Sequence, residues 1–304
     1  MKVLIVGFGS IAQKHMHALK QLVPDTKILA LRNSMQSIRY EGVKDLHSIT
    51  EIPGDIDFAI ISNPTSEHAR TIEMLLPLRK PLFIEKPVFH ELAGLESLVR
   101  ETQAADVYTY VACNLRFHPV IQFLKKKFEQ KRPLEYVSYC GSYLPNWRPN
   151  TDYRKNYSAI KMLGGGVRLD LIHELDFCCY LMGKPTKIHG ERAKISRLEI
   201  ETEDIAHYTL SYPNTFATIT LNYYRPEARR DIELVWEDVI WKADLLQAEV
   251  RESSGELIFQ PEFEPMDSYL NQMNYFLECV KGNKRPMNDI TEAWDILKLC
   301  LQDA

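Results

Sequence analysis

The chain opens on an apolar run over residues 2–6, followed at once by Gly7, Phe8 and Gly9. An apolar stripe at Ile11, Met16, Ala18, Leu19 and Leu22 comes next. A short unbroken apolar run predicts a strand buried on both faces, and the stripe predicts a helix with one buried side. The alternation then repeats. Apolar runs at 27–31, 56–62, 82–84 and 107–112 predict strands, and helices are predicted over 67–76 and about 91–104. Strands and helices in this order predict a doubly wound parallel sheet. From about residue 118 the rhythm changes. A helix over 120–128 precedes strand-like runs at 134–143, 187–198, 204–212, 216–224, 231–236 and 239–243. Pro213-Asn214-Thr215 reads as a hairpin turn between two of them. These runs predict a mainly antiparallel sheet, and helices over 268–280 and 291–301 close the chain. The expected class is α/β: a first domain over 1–117 and an α+β domain over 118–304, with the last helix packing back on the first domain.

The first turn carries the first candidate chemistry. Gly7-Phe8-Gly9-Ser10-Ile11-Ala12 is a G-x-G-x-x-A turn between strand and helix. Gly7 permits the tight turn, Gly9 lets backbone approach a pyrophosphate, and Ala12 lets helix and strand pack closely. The N–H groups at the helix start then face the phosphates. Gly7, Phe8, Gly9, Ser10 and Ile11 are therefore candidate cofactor contacts. The residue that reads the adenosine ribose should follow the second strand. An acid there would hold the ribose hydroxyls of NAD, but the sequence is Leu31-Arg32-Asn33-Ser34. Arg32 either takes the 2′-phosphate of NADP or is an exposed loop arginine. On that ground NADP is slightly favoured over NAD.

The run 81–87 ends a predicted strand on Glu85, Lys86 and Pro87. Proline cannot continue a ladder, and it pushes Lys86 into an extended conformation. Ligands bind beyond the carboxyl ends of parallel strands, which places Lys86 at the rim of a crevice. The alternative is a strand-ending surface salt bridge. Asn63, Pro64, Thr65 and His68 follow another strand, with Thr65 or Ser66 as a helix cap and His68 as a structural histidine. Further on, Gly164-Gly165-Gly166 opens a helix predicted over 167–181. Three glycines give close backbone approach to something. Asp170 and His173 are three apart and so share a helix face, and Asp176 continues the line. A structural His–Asp pair is the alternative.

Composition narrows the classes. The 304 residues suffice for about two domains, and 45% hydrophobic with 26% charged residues is ordinary for a soluble protein. The net charge is −4 and no basic stripe exists, which argues against nucleic acid; Lys125-Lys126-Lys127 reads as a solvated helix turn. No apolar run approaches about 18 residues, so no membrane span is expected. The N-terminus reads as a first strand rather than a signal peptide. Six cysteines show neither zinc nor disulfide spacing, so no metal site and a cytoplasmic location are expected.

Together these residues resemble the glucose–fructose oxidoreductase / inositol dehydrogenase / MocA family of NAD(P)-dependent oxidoreductases. The resemblance covers nearly the whole chain. It rests on Gly7-x-Gly9-x-x-Ala12, Asn63-Pro64-Thr65-x-x-His68, Glu85-Lys86-Pro87, Asn114-x-Arg116-Phe117-x-Pro119, the glycine run with Asp170 and His173, and Arg285-Pro286. It implies a Rossmann domain, then an open antiparallel sheet that builds homodimers or homotetramers. It also implies that Lys86, Asp170 and His173 surround the reacting carbon, and that Asn63, Pro64, Thr65, His68, Glu85, Lys86 and Asn114 lie on the cofactor. Two departures stand out: an Asp–His spacing of three where the family usually has four, and Arg32 where many members carry an acid. The segment with Trp147, Arg148, Tyr153 and Arg154 is similar to a branch associated with surface glycans and acidic sugars. Those four residues and Arg116 are candidate substrate contacts.

The expected reaction is hydride transfer between nicotinamide and a sugar or cyclitol hydroxyl or ketone. His173 is the expected base, because its ordinary pKa lies near working pH. Asp170 would orient it or bind a neighbouring hydroxyl, and Lys86 would polarise the oxygen. Lys86 and His173 are expected to face each other across the reacting carbon. The rival readings are a dinucleotide-dependent regulator without catalysis and a redox-assisted glycosidase on the same fold.

Overall fold

The computed structural model describes residues 1–32 and 38–302. Asn33 and Ser34, part of the expected ribose-reading segment, lie outside the described residues. The chain forms two compact units, Met1–Asn114 with Pro265–Asp295, and Leu115–Glu264 with Ile296–Ala304.

The first unit runs β1 (Lys2–Val6), α1 (Ser10–Leu22), β2 (Lys27–Leu31), β3 (Val43–Leu46), β4 (Phe58–Ile61), α2 (His68–Leu75), β5 (Leu82–Glu85), α3 (Glu96–Ala104) and β6 (Thr109–Ala112). The sheet order is β3-β2-β1-β4-β5-β6, and every neighbouring pair is parallel. Residues of β4 and β6 are buried along their whole length, as a parallel sheet covered on both faces requires. Chain order reverses between β1 and β4, so a crevice opens past their carboxyl ends. A later helix, Pro265–Gly282, packs on α1. Its Phe276 meets Phe58 and Phe83 edge-on, 5.1 and 5.3 Å between ring centres. Two details differ from the sequence expectation. Strand β3 was not anticipated, because in Val-Lys-Asp-Leu only Leu46 is buried. Helix α3 starts later than residue 91, because Gly94 turns the chain at φ +75°.

The second unit runs α4 (Pro119–Gln130), β7 (Glu135–Tyr143), α5 (Val167–Asp170), α6 (His173–Met182), β8 (Lys187–Ala193), β9 (Ile205–Tyr212), β10 (Thr215–Asn222), β11 (Tyr224–Val235), β12 (Ile240–Asp244), β13 (Glu249–Glu252) and β14 (Leu257–Phe259). The later helix above is α7, and α8 (Ile290–Leu301) follows it. The sheet order is β14-β13-β12-β11-β7-β10-β9-β8. Only β7 and β10 pair in parallel; the other neighbours are antiparallel. Strand β9 alternates strictly, with Ala206, Tyr208, Leu210 and Tyr212 buried. A one-faced core of this kind is what an antiparallel sheet produces when helices cover one side. Strand β8 stops at Ala193, short of the expected 198, and β11 begins at Tyr224, well before the expected 231, with a register shift against β7 between Tyr224 and Arg229.

The largest correction concerns the helix expected over 167–181. It is two helices. Helix α5 ends at Asp170, Leu171 leaves the helical region at φ −101° and ψ +21°, and α6 begins at His173. Asp170 and His173 therefore share no helix face, and their spacing of three says nothing about how their side chains align.

Candidate active site

The first unit places its candidate residues at consecutive strand ends. Strand β1 ends at Val6, and Gly7 turns the chain at φ +77°. A Cβ on Gly7 would lie 2.5 Å from Asn63 Cα, so only glycine fits between the ends of β1 and β4. Gly9 is the N-cap of α1 and has no side-chain cap. A Cβ there would meet nothing within 4 Å. The first N–H groups of α1 thus have no side-chain acceptor and look onto open room, a donor set that suits a pyrophosphate. Phe8 is buried, Ser10 is exposed and Ile11 is half-buried.

Neighbouring side chains brace this rim. Asn63 donates to Thr71 Oγ1 at 2.8 Å, and its buried Oδ1 has no partner. Thr65 begins a 3-10 turn that leads into α2. His68 is 1% exposed, with Nδ1 3.1 Å from Pro87 O and Nε2 3.1 Å from Asn63 O. Burial lowers its pKa, so the ring is neutral and one nitrogen donates. The ring lies between the chain just past β4 and the chain just past β5. Glu85 is likewise engaged by its own unit: one carboxylate oxygen pairs with buried His15 and the other accepts the Lys86 N–H at 3.2 Å. Lys86 follows β5 directly, half-buried, with a cis peptide to Pro87. Asn114 donates to Ser268 Oγ at 2.9 Å.

Arg32 is not the exposed loop arginine that one reading of the sequence offered. Its side chain is 9% exposed, bonds Ile38 O at 2.9 Å and Asp45 at 3.3 Å, and lies over the rings of Phe8 and Tyr40. Asp45, on β3, already neutralises its charge.

The second unit gathers a different cluster. Asp170 is 4% exposed and accepts a hydrogen bond from Tyr223 at 2.5 Å. Trp147 packs edge-on against Tyr223, 5.2 Å between ring centres, and Arg148 lies over the Tyr157 ring at 5.4 Å. His173, half-buried, opens α6. Trp147 is thus brought beside Asp170 through Tyr223. Tyr153 and Arg154 point elsewhere: Tyr153 accepts from Glu199 N at 3.2 Å, and Arg154 pairs with Asp152 and Glu199. Arg116 is a correction. It is 1% exposed and grips Asp176 with two bonds of 2.8 Å, so it holds the core rather than a substrate. Asp176 is used in the same way. Tyr223 carried no sequence signal, since a tyrosine between strands is usually packing. Tyr157 was visible only as part of the segment around Trp147.

The glycine run explains the tyrosines. A Cβ on Gly165 would lie 2.0 Å from Tyr157 O, and one on Gly166, at φ +127°, would press on Glu203. The close approach anticipated from three glycines is made by the chain's own 157–158 turn.

Family models match both parts of the chain: "Oxidoreductase family, NAD-binding Rossmann fold" over residues 1–113 and "GFO/IDH/MocA C-terminal domain" over residues 135–238. The chain is 28% identical to myo-inositol 2-dehydrogenase of Thermotoga maritima, over 60% of this chain and 55% of that protein. It is 23% identical to scyllo-inositol 2-dehydrogenase (NAD(+)) of Bacillus subtilis, over 94% of this chain and 88% of that one. The WlbA dehydrogenase of Bordetella pertussis, solved with NADH and UDP-GlcNAcA, superposes with a TM-score of 0.81. It is 17% identical and covers 98% of this chain and 93% of its own, which shows a shared fold.

Proposed function

The chain belongs to the GFO/IDH/MocA oxidoreductase family, and from that premise we propose that it is an NAD-dependent dehydrogenase acting on a hydroxyl of a sugar, sugar derivative or cyclitol. The observation that carries the proposal is the uncapped start of α1 above Gly9, beside a strand end that bears Lys86. The nicotinamide would supply the hydride acceptor. Lys86 would polarise the substrate oxygen and stabilise its developing charge. His173 would take the hydroxyl proton on an imidazole nitrogen. Asp170 would accept from a neighbouring hydroxyl or orient the imidazole.

We favour NAD over NADP. A 2′-phosphate would have to draw Arg32 away from Asp45 and from its seat between two rings. Inositol dehydrogenases among the relatives and a UDP-sugar complex among similar folds make polyols and nucleotide sugars the substrates to try. Arg148, exposed over the Tyr157 ring, suits an anionic substituent. The half-exposed face of the second sheet, with Val137, Tyr139 and Thr218, would pair subunits into a homodimer or homotetramer. Among the described residues no helix is long and apolar enough to cross a membrane, and all six cysteines are buried outside disulfides. A cytoplasmic site of action fits those thiols.

The test is a turnover screen. Purified protein is mixed with NAD or NADP and a panel of inositols, free sugars, uronic acids and UDP-sugars, and the absorbance of reduced nicotinamide is followed. Reduction with at least one polyol supports the proposal. Silence across the panel in both directions overturns it.

A further inference from the structure

Helix α6 carries His173, yet its apolar pattern does not fix how the helix is turned about its axis. Every residue from Glu174 to Cys179 is buried, and Leu181 and Met182 follow them, so the helix is enclosed nearly all round rather than along one stripe. Helix α5 does not set the rotation either, because the chain leaves the helical region between the two.

Two carboxylates near the start of α6 are gripped from different sides. Glu174 is fully buried, and it accepts from Arg230 Nε at 2.8 Å on Oε1 and from Ser138 Oγ at 2.9 Å on Oε2. Those partners stand on the neighbouring strands β11 and β7. Asp176, 2% exposed, takes its two bonds of 2.8 Å from Arg116, in the 3-10 turn Asn114–Phe117 ahead of α4. The same guanidinium lies over the ring of Tyr180, one turn further along α6, at 5.1 Å. Residues two apart on a helix point about 200° from each other. The sheet therefore holds one side of α6 and the turn before α4 holds the other.

We propose that Arg230, Ser138 and Arg116 are positioning residues for His173: acting through Glu174 and Asp176, they fix the rotation of α6 and so the direction in which the imidazole leaves it. This deepens the dehydrogenase reading and rests on it for the role of His173 as base. Apolar side chains could fill both places without loss of stability, because a buried ion pair roughly offsets its own desolvation. What the charges add is direction. A planar guanidinium meets a carboxylate in one plane, whereas packed methyl groups slide. Both acids also stand in the first turn of α6, where the helix dipole favours negative charge, and Glu174 directly follows His173.

The test removes each pair whole, so that no lone charge stays buried. The double variants are Glu174→Met with Arg230→Met, and Asp176→Leu with Arg116→Met. Each is expected to bind NADH within about twofold of wild type and to lose kcat about tenfold or more, the cost of an imidazole misplaced by about 1 Å. Glu174→Gln keeps an acceptor for Arg230 and should hold kcat within about threefold of wild type. Arg230→Lys keeps the charge and loses the plane, so its kcat should fall between the two, and it serves where a double variant does not fold. Wild-type kcat in the folded double variants, or in Arg230→Lys where neither folds, overturns the proposal. So does a Glu174→Gln variant as slow as the double one. Crystal structures of wild type and of the Glu174→Met/Arg230→Met variant, or of Arg230→Lys in its place, test the same point without a substrate. The expected result is α6 turned about its axis and His173 displaced by about 1 Å, with β7 to β11 unmoved. Such a displacement in a protein that turns over no polyol keeps the two anchors and removes only the dehydrogenase reading. His173 in its wild-type place overturns the anchors whatever is turned over.

Discussion

The two units prepare for chemistry in opposite ways. In the first, contiguous motifs sit at the ends of neighbouring strands, and the polar side chains mostly brace their own backbone. His68 bonds a backbone carbonyl, Glu85 holds His15 and the Lys86 N–H, and Arg32 pairs with Asp45. What remains for a ligand is main chain at the start of α1. In the second unit the cluster at Asp170 is made of side chains from separate segments, Tyr223 and, against its ring, Trp147, and main chain serves to seat Tyr223. A cradle of backbone suits a cofactor shared by many reactions. A cage of side chains can change with the substrate while the sheet stays the same.

The strongest way to break this comparison is to remove one chemical group from each unit. Lys86→Ala and His173→Ala should each lower kcat at least about a hundredfold, while the Kd for NADH moves less than about threefold. Steady-state kinetics and fluorescence titration measure both. If only one variant loses turnover, a single unit carries the chemistry and the division of labour fails.

The same contrast explains what the sequence made legible. The glycine turn, Asn63 and Lys86 are readable because each lies within a few residues of a strand end, and strand ends follow from apolar runs. The parallel sheet and the mainly antiparallel one were readable for the same reason. The Asp170 cluster was readable only in part. The glycine run and the family resemblance named Asp170, His173, Trp147 and Arg148, but Tyr223 gave no signal, and the helix-face spacing failed because the chain breaks that helix between Asp170 and His173. Arg116 misled because a motif arginine looks alike in sequence whether it meets a ligand or, as here, a buried Asp176.

Glycine substitutions sharpen the comparison next. Gly165→Ala puts a Cβ 2.0 Å from a backbone oxygen, so the 157–158 turn must shift, and a loss of about 2–3 kcal/mol in urea unfolding is expected. Gly7→Ala should behave similarly, against Asn63 Cα and at positive φ. Gly9→Ala meets open room, so stability should hold while the Kd for NADH rises about tenfold. A destabilised Gly9→Ala protein with unchanged cofactor affinity would contradict the cradle.

Acid is expected to weaken the fold through buried histidines. In the second unit, burial and then the charge of Arg230 hold His118 down to about 4, against an ordinary 6.5. Above about pH 6.5 the ring is neutral in both states. Between 6.5 and 4 the unfolded chain takes a proton that the folded chain refuses, so stability falls as pH drops through that window. The full difference is about 3 kcal/mol. His118 also caps α4, accepting from Val120 N at 3.3 Å, and protonation would oppose that bond. Urea unfolding at stepped pH should show a shallower decline for His118→Asn, which keeps a capping side chain without titrating. An identical decline would clear His118 of the effect. His68, lowered by burial in the first unit, acts in the same direction.

The smallest expected effect is at Arg32. With its charge already met by Asp45, Arg32→Ala should weaken NADP(H) no more than NAD(H), each by about threefold or less. A selective loss of NADP(H) affinity would make Arg32 a 2′-phosphate ligand after all.

The central claim is that the first unit is a dinucleotide cradle built from backbone. Calorimetric titration of NADH into the wild-type protein tests it most directly, with NADPH as the parallel run. One saturable site for NADH, weakened by Gly9→Ala in a protein that melts like wild type, is the predicted result. No heat of binding from either cofactor at millimolar concentration would contradict it.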